Sequence, residues 1–143
     1  MKFLLYILLI TAVFTAFGCK KKHKEEPAPI ANTTPEKTIK ITYEVNSSVA
    51  AFDNEAYNKL MFTAAEGSYL FDTFKGTTWK KEVNIIDNGK SSIGLHVDML
   101  LNGDKATATG KIYINDELKV TSNSTSPYYS NGRTQTLLDV KYR

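Results

Sequence analysis

From Ile39 to the end of the chain, apolar side chains recur at every second position in short runs, and asparagine, glycine or aspartate closes most of these runs. A period of two places alternate side chains on opposite faces of an extended strand, so this pattern commits the region to sheet with one buried face. Ile39, Ile41, Tyr43 and Val45 alternate with Lys40, Thr42 and Glu44 in the first run. Val49 to Asn58 reads either as one helical turn or as a loop. Leu60, Phe62 and Ala64, the turn Glu66-Gly67-Ser68, and then Tyr69, Phe71 and Thr73 make a hairpin. Its second strand is apolar on both sides at Leu70-Phe71, which points to a place inside a sheet.

Trp79, Lys81, Val83 and Ile85 face opposite to Lys80, Glu82 and Asn84, and Asp87-Asn88-Gly89 follows. Asn-Gly is the strongest short hairpin signal because both residues tolerate positive φ, so the return strand is expected at Ile93, Leu95, Val97 and Met99. Asn102-Gly103-Asp104 repeats that turn chemistry before Ala108, Gly110, Ile112 and Ile114. Asn115-Asp116-Glu117 turns into Leu118 and Val120, residues 127–132 read as the longest late loop, and Thr136, Leu138, Val140 and Tyr142 close the chain. Seven to eight strands with no amphipathic helix predict an all-β domain, a single immunoglobulin-like antiparallel β-sandwich. A closed barrel is the alternative that spacing alone leaves open.

The first 38 residues have a different character. One lysine, Lys2, precedes an apolar run from Phe3 to Phe17, followed by Gly18 and the chain's single cysteine, Cys19. Charged, apolar and small residues in that order are the layout of a secretory signal. A helix of about 15 residues at ~1.5 Å each reaches ~23 Å, short of the ~30 Å hydrocarbon core, so cleavage is favoured over a permanent span. Lys20, Lys21, Lys22 and Lys24 after the run agree, since an uncleaved segment would hold its C-terminal domain in the cytoplasm. A lone cysteine has no partner for a disulfide within the chain.

Ala16-Phe17-Gly18-Cys19 resembles the lipobox of bacterial lipoproteins, in the loose form found in Bacteroidetes-type signals. The resemblance implies cleavage before Cys19 and modification of its thiol with diacylglycerol and of its amine with an acyl chain such as palmitate. The divisions follow: a signal peptide over 1–18, a lipidated and charged tether over 19–38, and the β-domain over 39–143. The tether carries Pro27, Pro29 and Pro35 with one large aliphatic residue, Ile30, too little apolar area to offset its ordering entropy. Its basic cluster suits either anionic headgroups or plain solvation, and His23 reads as a solvated member of that cluster. Lys24-Glu25-Glu26 is similar to the lysine-acidic element that marks some such lipoproteins for the cell surface, although it stands five residues beyond Cys19. The expected location is the cell envelope, at the outer membrane, on its periplasmic face or at the cell surface.

The net charge of +3 resides in these N-terminal segments. From Ile39 onward ten lysines and two arginines balance twelve carboxylates, so the domain lacks the concentrated basic charge that nucleic acid requires.

Three stretches of the domain, Thr42-Tyr43-Glu44-Val45, Thr78-Trp79-Lys80-Lys81 and residues 110–117, resemble the small mycobacterial membrane protein family over about Ile39 to Ser126. That resemblance implies a β-sandwich acting as an accessory to an envelope transporter. The chain departs from the family in having a cleavable lipid signal in place of a membrane span and in lacking a pair of domain cysteines.

Catalytic and metal-binding patterns are sparse. His96 and Asp98 stand two apart on one strand face, enough for two ligands or for a base and its orienter, with no third ligand at suitable spacing. Asp53 with Glu55, and Asp116 with Glu117, have the composition of a glycosidase dyad but fall in turn regions. No nucleophile elbow, phosphate loop or calcium loop occurs. Trp79 reads as a core plug or as a stacking platform for a sugar ring or peptide. Tyr128 and Tyr129, expected in the late loop, read as partner contacts or as a cover over one end of the sandwich. The expectation is therefore a non-catalytic binding or transport-accessory module that needs no metal and no cofactor beyond the lipid on Cys19. Its partners would be the membrane and another envelope protein. The alternative is a carbohydrate-binding or glycan-processing protein with its site on the sandwich loops. The two differ in what they require: converging polar groups in a pocket for the second, a solid core with a functional loop or edge strand for the first.

Overall fold

The computed structural model describes residues 36–89 and 92–142. The signal, Cys19 and nearly all of the tether lie outside them. The described residues form nine strands: β1 (Lys37–Ser47), β2 (Lys59–Thr63), β3 (Tyr69–Thr73), β4 (Thr78–Asp87), β5 (Ile93–Asn102), β6 (Ala108–Ile114), β7 (Glu117–Asn123), β8 (Thr125–Ser130) and β9 (Arg133–Tyr142). All pairings are antiparallel, in a four-stranded sheet of order β4-β1-β6-β7 and a five-stranded sheet of order β3-β2-β5-β9-β8. Two sheets sharing one apolar core make the expected sandwich.

The core follows directly from the alternation. Ile39, Ile41, Tyr43 and Val45 of β1 and Ile93, Leu95, Val97, Met99 and Leu101 of β5 point inward and are buried. These two strands lie inside their sheets, flanked by β4 and β6 and by β2 and β9 respectively. A side chain such as Leu95 or Ile41, buried in full, contributes about 1.5–3 kcal/mol.

Turn chemistry specifies reversals, and tertiary packing chooses the partners. Asn88-Gly89 does not make the expected hairpin: β4 pairs with β1 over ten positions while β5 pairs with β2 and β9, so the turn carries the chain from one sheet to the other. Asn102-Gly103 crosses back in the same way. The Asn-Gly that does close a hairpin is Asn131-Gly132, with φ of 54° and 68°, joining β8 to β9. Asn115-Asp116 closes β6 onto β7 with φ of 50° and 67°. Both are two-residue turns with two positive φ values, the geometry whose twist suits paired strands.

The ninth strand arises from a corner. β7 and β8 are nearly continuous, and Ser124 is where the chain leaves one sheet for the other. There the Ser124 N–H donates to the Ala108 carbonyl (2.8 Å) and the Ala108 N–H donates to Ser124 Oγ (2.8 Å). The 127–132 segment expected as a loop is mostly β8 and its turn. The stretch left open over 49–58 contains a bridge from Ala51 to Leu101 and a single 3₁₀ turn over Glu55–Tyr57.

Candidate functional site

β3 is the outer strand of the five-stranded sheet. The expectation that its apolar character marks an interior strand is therefore corrected: Tyr69 is 55 % exposed, Leu70 47 % and Phe71 75 %. Apolar residues on both faces of a strand are consistent with full burial or with an unguarded edge, and the sequence contains nothing that separates the two.

The backbone of this edge can be assigned from the hydrogen bonds that flank it. Ala64 N–H donates to the Ser68 carbonyl (2.7 Å) and Phe74 N–H donates to the Asn58 carbonyl (3.0 Å). In an antiparallel ladder the bonded positions alternate, so the even-numbered residues of β3 bond to β2. Tyr69 and Phe71 consequently turn their N–H and C=O groups away from the sheet. Asp72 ends the open stretch. Its carboxylate accepts from Thr73 N–H (2.8 Å) and from Trp79 Nε1 (3.2 Å), and it lies 4.0 Å from the Lys81 ammonium.

The remaining sheet edges are guarded in the usual ways. β4 carries Lys80, Lys81 and Glu82 at its centre. β7 carries Glu117 and Lys119 and pairs through a bulge, and β8 contains Pro127 with an irregular register. Among the edge strands whose side-chain exposure is described, β3, β4 and β7, only β3 presents three consecutive uncharged, exposed, large side chains.

Trp79 stands beside this edge on β4. Its ring is half-buried against Phe62 at 5.4 Å, and Phe62 in turn meets Tyr43 at 5.4 Å. Trp79 thus closes the gap between the sheets behind β3, and its indole N–H is used by Asp72. Tyr128 and Tyr129 are on β8, opposite Gln135 and Thr134 of β9, far along the sheet order from Trp79. Cys19 lies outside the described residues.

The polar candidates are dispersed. His96 and Asp98 do share the outer face of the five-stranded sheet, but His96 Nδ1 bonds to Asp139 across β9 (2.9 Å), and Asp98 accepts from Gln135 Nε2 (3.2 Å). Glu55 pairs with Lys75 (2.5 Å), Asp116 with Lys40 (2.6 Å) and Glu117 with Lys119 (2.5 Å). Asp116 and Glu117 are thereby split between separate lysines, and Glu55 is held by Lys75. Among the described residues no group of three or more histidine, cysteine or acidic side chains is placed to hold a metal ion.

Two concavities are lined by other described residues. One, of about 450 Å³, opens between the sheets over Ile39, Ile85 and Ile93, where β1 begins. Lys37 and Lys119 face Asp87 and Glu117 around it, so its mouth has no net charge among these residues. The other, of about 260 Å³, lies beside the 3₁₀ turn on the outer face of the five-stranded sheet.

No protein-family model matches the chain, and no curated protein matches it.

Proposed function

We propose that this chain is a lipid-anchored protein of the bacterial cell envelope whose sandwich works without catalysis, binding an extended segment of another envelope protein along the β3 edge. The observation that carries this reading is the bare edge itself: outward amides at Tyr69 and Phe71 and three uncharged, exposed side chains, on a sheet whose opposite border, β8, carries Pro127 and an irregular register. An added strand would gain main-chain hydrogen bonds from the edge and selectivity from the alternating side chains. The uncharged surface calls for a segment with apolar residues at alternate positions. Placing such a module at a membrane gives it the role of an accessory that holds a partner near the bilayer. The loose lipobox at Cys19 supports the anchoring, and the resemblance to a transporter-accessory family supports the role.

The test is photo-crosslinking from single p-benzoylphenylalanine substitutions at 69, 70, 71 and 118 in the full-length protein in native envelopes. Positions 69, 70 and 71 should give one discrete adduct, mapping to an uncharged extended segment of one envelope protein. Leu118, exposed on the guarded β7 edge, should give none, and Phe71→Lys should abolish the adduct made from position 69. Equal labelling from all four positions, or none, would overturn the edge reading. Anchoring is tested separately with Cys19→Ser, which should move the protein from the membrane to the soluble periplasmic fraction; unchanged retention would overturn it.

A further inference from the structure

The 260 Å³ concavity is built around Tyr57, a residue the alternation pattern does not single out. Tyr57 ends the 3₁₀ turn and is 55 % exposed. The turn is fixed from below by Asn58, whose Nδ2 donates to the carbonyls of Phe52 (2.5 Å) and Asn54 (3.3 Å) and whose Oδ1 accepts from Leu100 N–H of β5 (3.0 Å). Asn54 caps the same turn, accepting from Ala56 N–H through its side chain (3.1 Å). Beside Tyr57 the Phe52 ring packs at 6.4 Å, and the Arg133 guanidinium lies 3.7 Å from the centre of the Phe52 ring. The tyrosine is an exposed aromatic surface with a supported base, in contrast to a side chain free to swing.

The polar groups around it are also set by the fold. Lys59 and Asp98 stand opposite each other in the β2–β5 register, and Gln135 of β9 donates to Asp98 Oδ1. That bond orients the pair, leaving Asp98 Oδ2, Gln135 Oε1 and one amide proton to face a ligand. Leu100 supplies an apolar contact below them. The geometry points to a binding site for a neutral sugar ring, one residue of an oligosaccharide, with a pyranose face on Tyr57 and neighbouring hydroxyls on Asp98, Gln135 and Lys59.

Class and size follow from the lining. An anionic ligand would meet the Asp98 carboxylate, and a cationic one the Lys59 ammonium. An uncharged ligand rich in hydroxyls satisfies both, because a hydroxyl donates to one and accepts from the other. At about 260 Å³ and open to solvent, the concavity has room for one six-membered ring with the ends of its neighbours outside. This site is on the sheet's outer face, one strand in from the β3 edge; it shares no lining residue with Tyr69 to Phe71 and stands independently of the partner reading above.

The experiment is titration of the full-length protein with uncharged oligosaccharides, namely α- and β-linked glucose oligomers and N-acetylglucosamine oligomers, followed by saturation-transfer NMR. At least one series should bind saturably at about millimolar Kd, a reasonable value for a single stacked ring. Tyr57→Ala should weaken that binding about tenfold while Tyr57→Phe, which keeps the ring, stays within about twofold. Gln135→Ala should also weaken it, and Leu118→Lys, on β7 of the other sheet, should leave it unchanged. Melting temperatures of the variants identify any loss due to unfolding, and for a variant that unfolds the Tyr57→Phe and Gln135→Ala results decide. No saturable binding of any series, or binding that a folded Tyr57→Ala variant retains, would overturn the site.

Discussion

The Tyr43 hydroxyl of β1 donates a 2.8 Å hydrogen bond to the Thr63 carbonyl at the end of β2, a buried bond that ties the two sheets together. Strands within each sheet are held by their ladders, whereas the layers are held by apolar contact, which is non-directional. This bond adds a direction. Tyr43→Phe keeps the ring contact with Phe62 but strands the carbonyl, so unfolding free energy should fall by about 1–2 kcal/mol in urea titrations. Burial pushes the Tyr43 pKa well above the ordinary tyrosine value. The folded state therefore retains a proton that the unfolded chain releases near pH 10. Stability from this residue is complete below about pH 10 and declines as pH rises beyond it, because there the unfolded state binds fewer protons. Above that pH the gap between wild type and Tyr43→Phe should narrow; a constant gap would show that the hydroxyl titrates normally.

Gly110 of β6 faces the core, where a methyl group in its place would stand 2.6 Å from Val140 Cγ2 and 2.7 Å from Leu138 Cδ2 of β9. The glycine sets how closely the sheets approach there. Gly110→Ala should cost about 1–3 kcal/mol from overpacking. Combined with Val140→Ala it should cost less than the two single changes added together, since one change vacates the space the other needs. Strict additivity of the denaturation free energies would show that the layers are free to separate.

Thr42 is buried on the outward face of the four-stranded sheet, between Glu82 and Tyr113 in register, and its Oγ1 has no hydrogen-bond partner among the described residues. A hydroxyl in that position gains nothing to offset its desolvation. Thr42→Val preserves shape and strand preference, so it should stabilise the domain by about 1 kcal/mol, read as a rise in melting temperature. A fall would mean that water reaches the hydroxyl.

Asn58 is buried; its Nδ2 donates to the carbonyls of Phe52 and Asn54 within the 52–58 segment, and its Oδ1 accepts from Leu100 N–H, the one of the three bonds that joins the segment to β5. Asn58→Ala leaves the Leu100 N–H and the Phe52 carbonyl without these partners and should cost about 2–4 kcal/mol. Amide exchange at Leu100 should accelerate more than at Leu95, which lies in the same strand away from the contact. Equal acceleration along β5 would show that the effect is global.

Strand positions and their buried faces were legible in the alternation, because one wet face and one dry face leave a period of two in the residue order. Ile39 to Val45 and Ile93 to Met99 face inward as that order requires. The split hydrogen-bonding of His96 and Asp98 was not legible, since each finds its partner on β9, some forty residues on. The three exposed residues of β3 resemble core residues until their neighbours are known. Tyr57 depends on a turn whose anchor, Asn58, reads in sequence as an ordinary loop residue.

By itself the amino-acid order determined local conformation: extended segments, the positions of reversals, and an apolar N-terminal run ending at a lone cysteine. These depend on neighbours along the chain, where sterics and side-chain alternation act. Strand partnership, the free border at Tyr69 to Phe71, and the meeting of Tyr57, Asp98 and Gln135 were decided only in three dimensions. An Asn-Gly turn reverses the chain equally well within a sheet or between two sheets, and burying the most apolar strands, β1 and β5, at the centres of opposing layers selected which of these occurs.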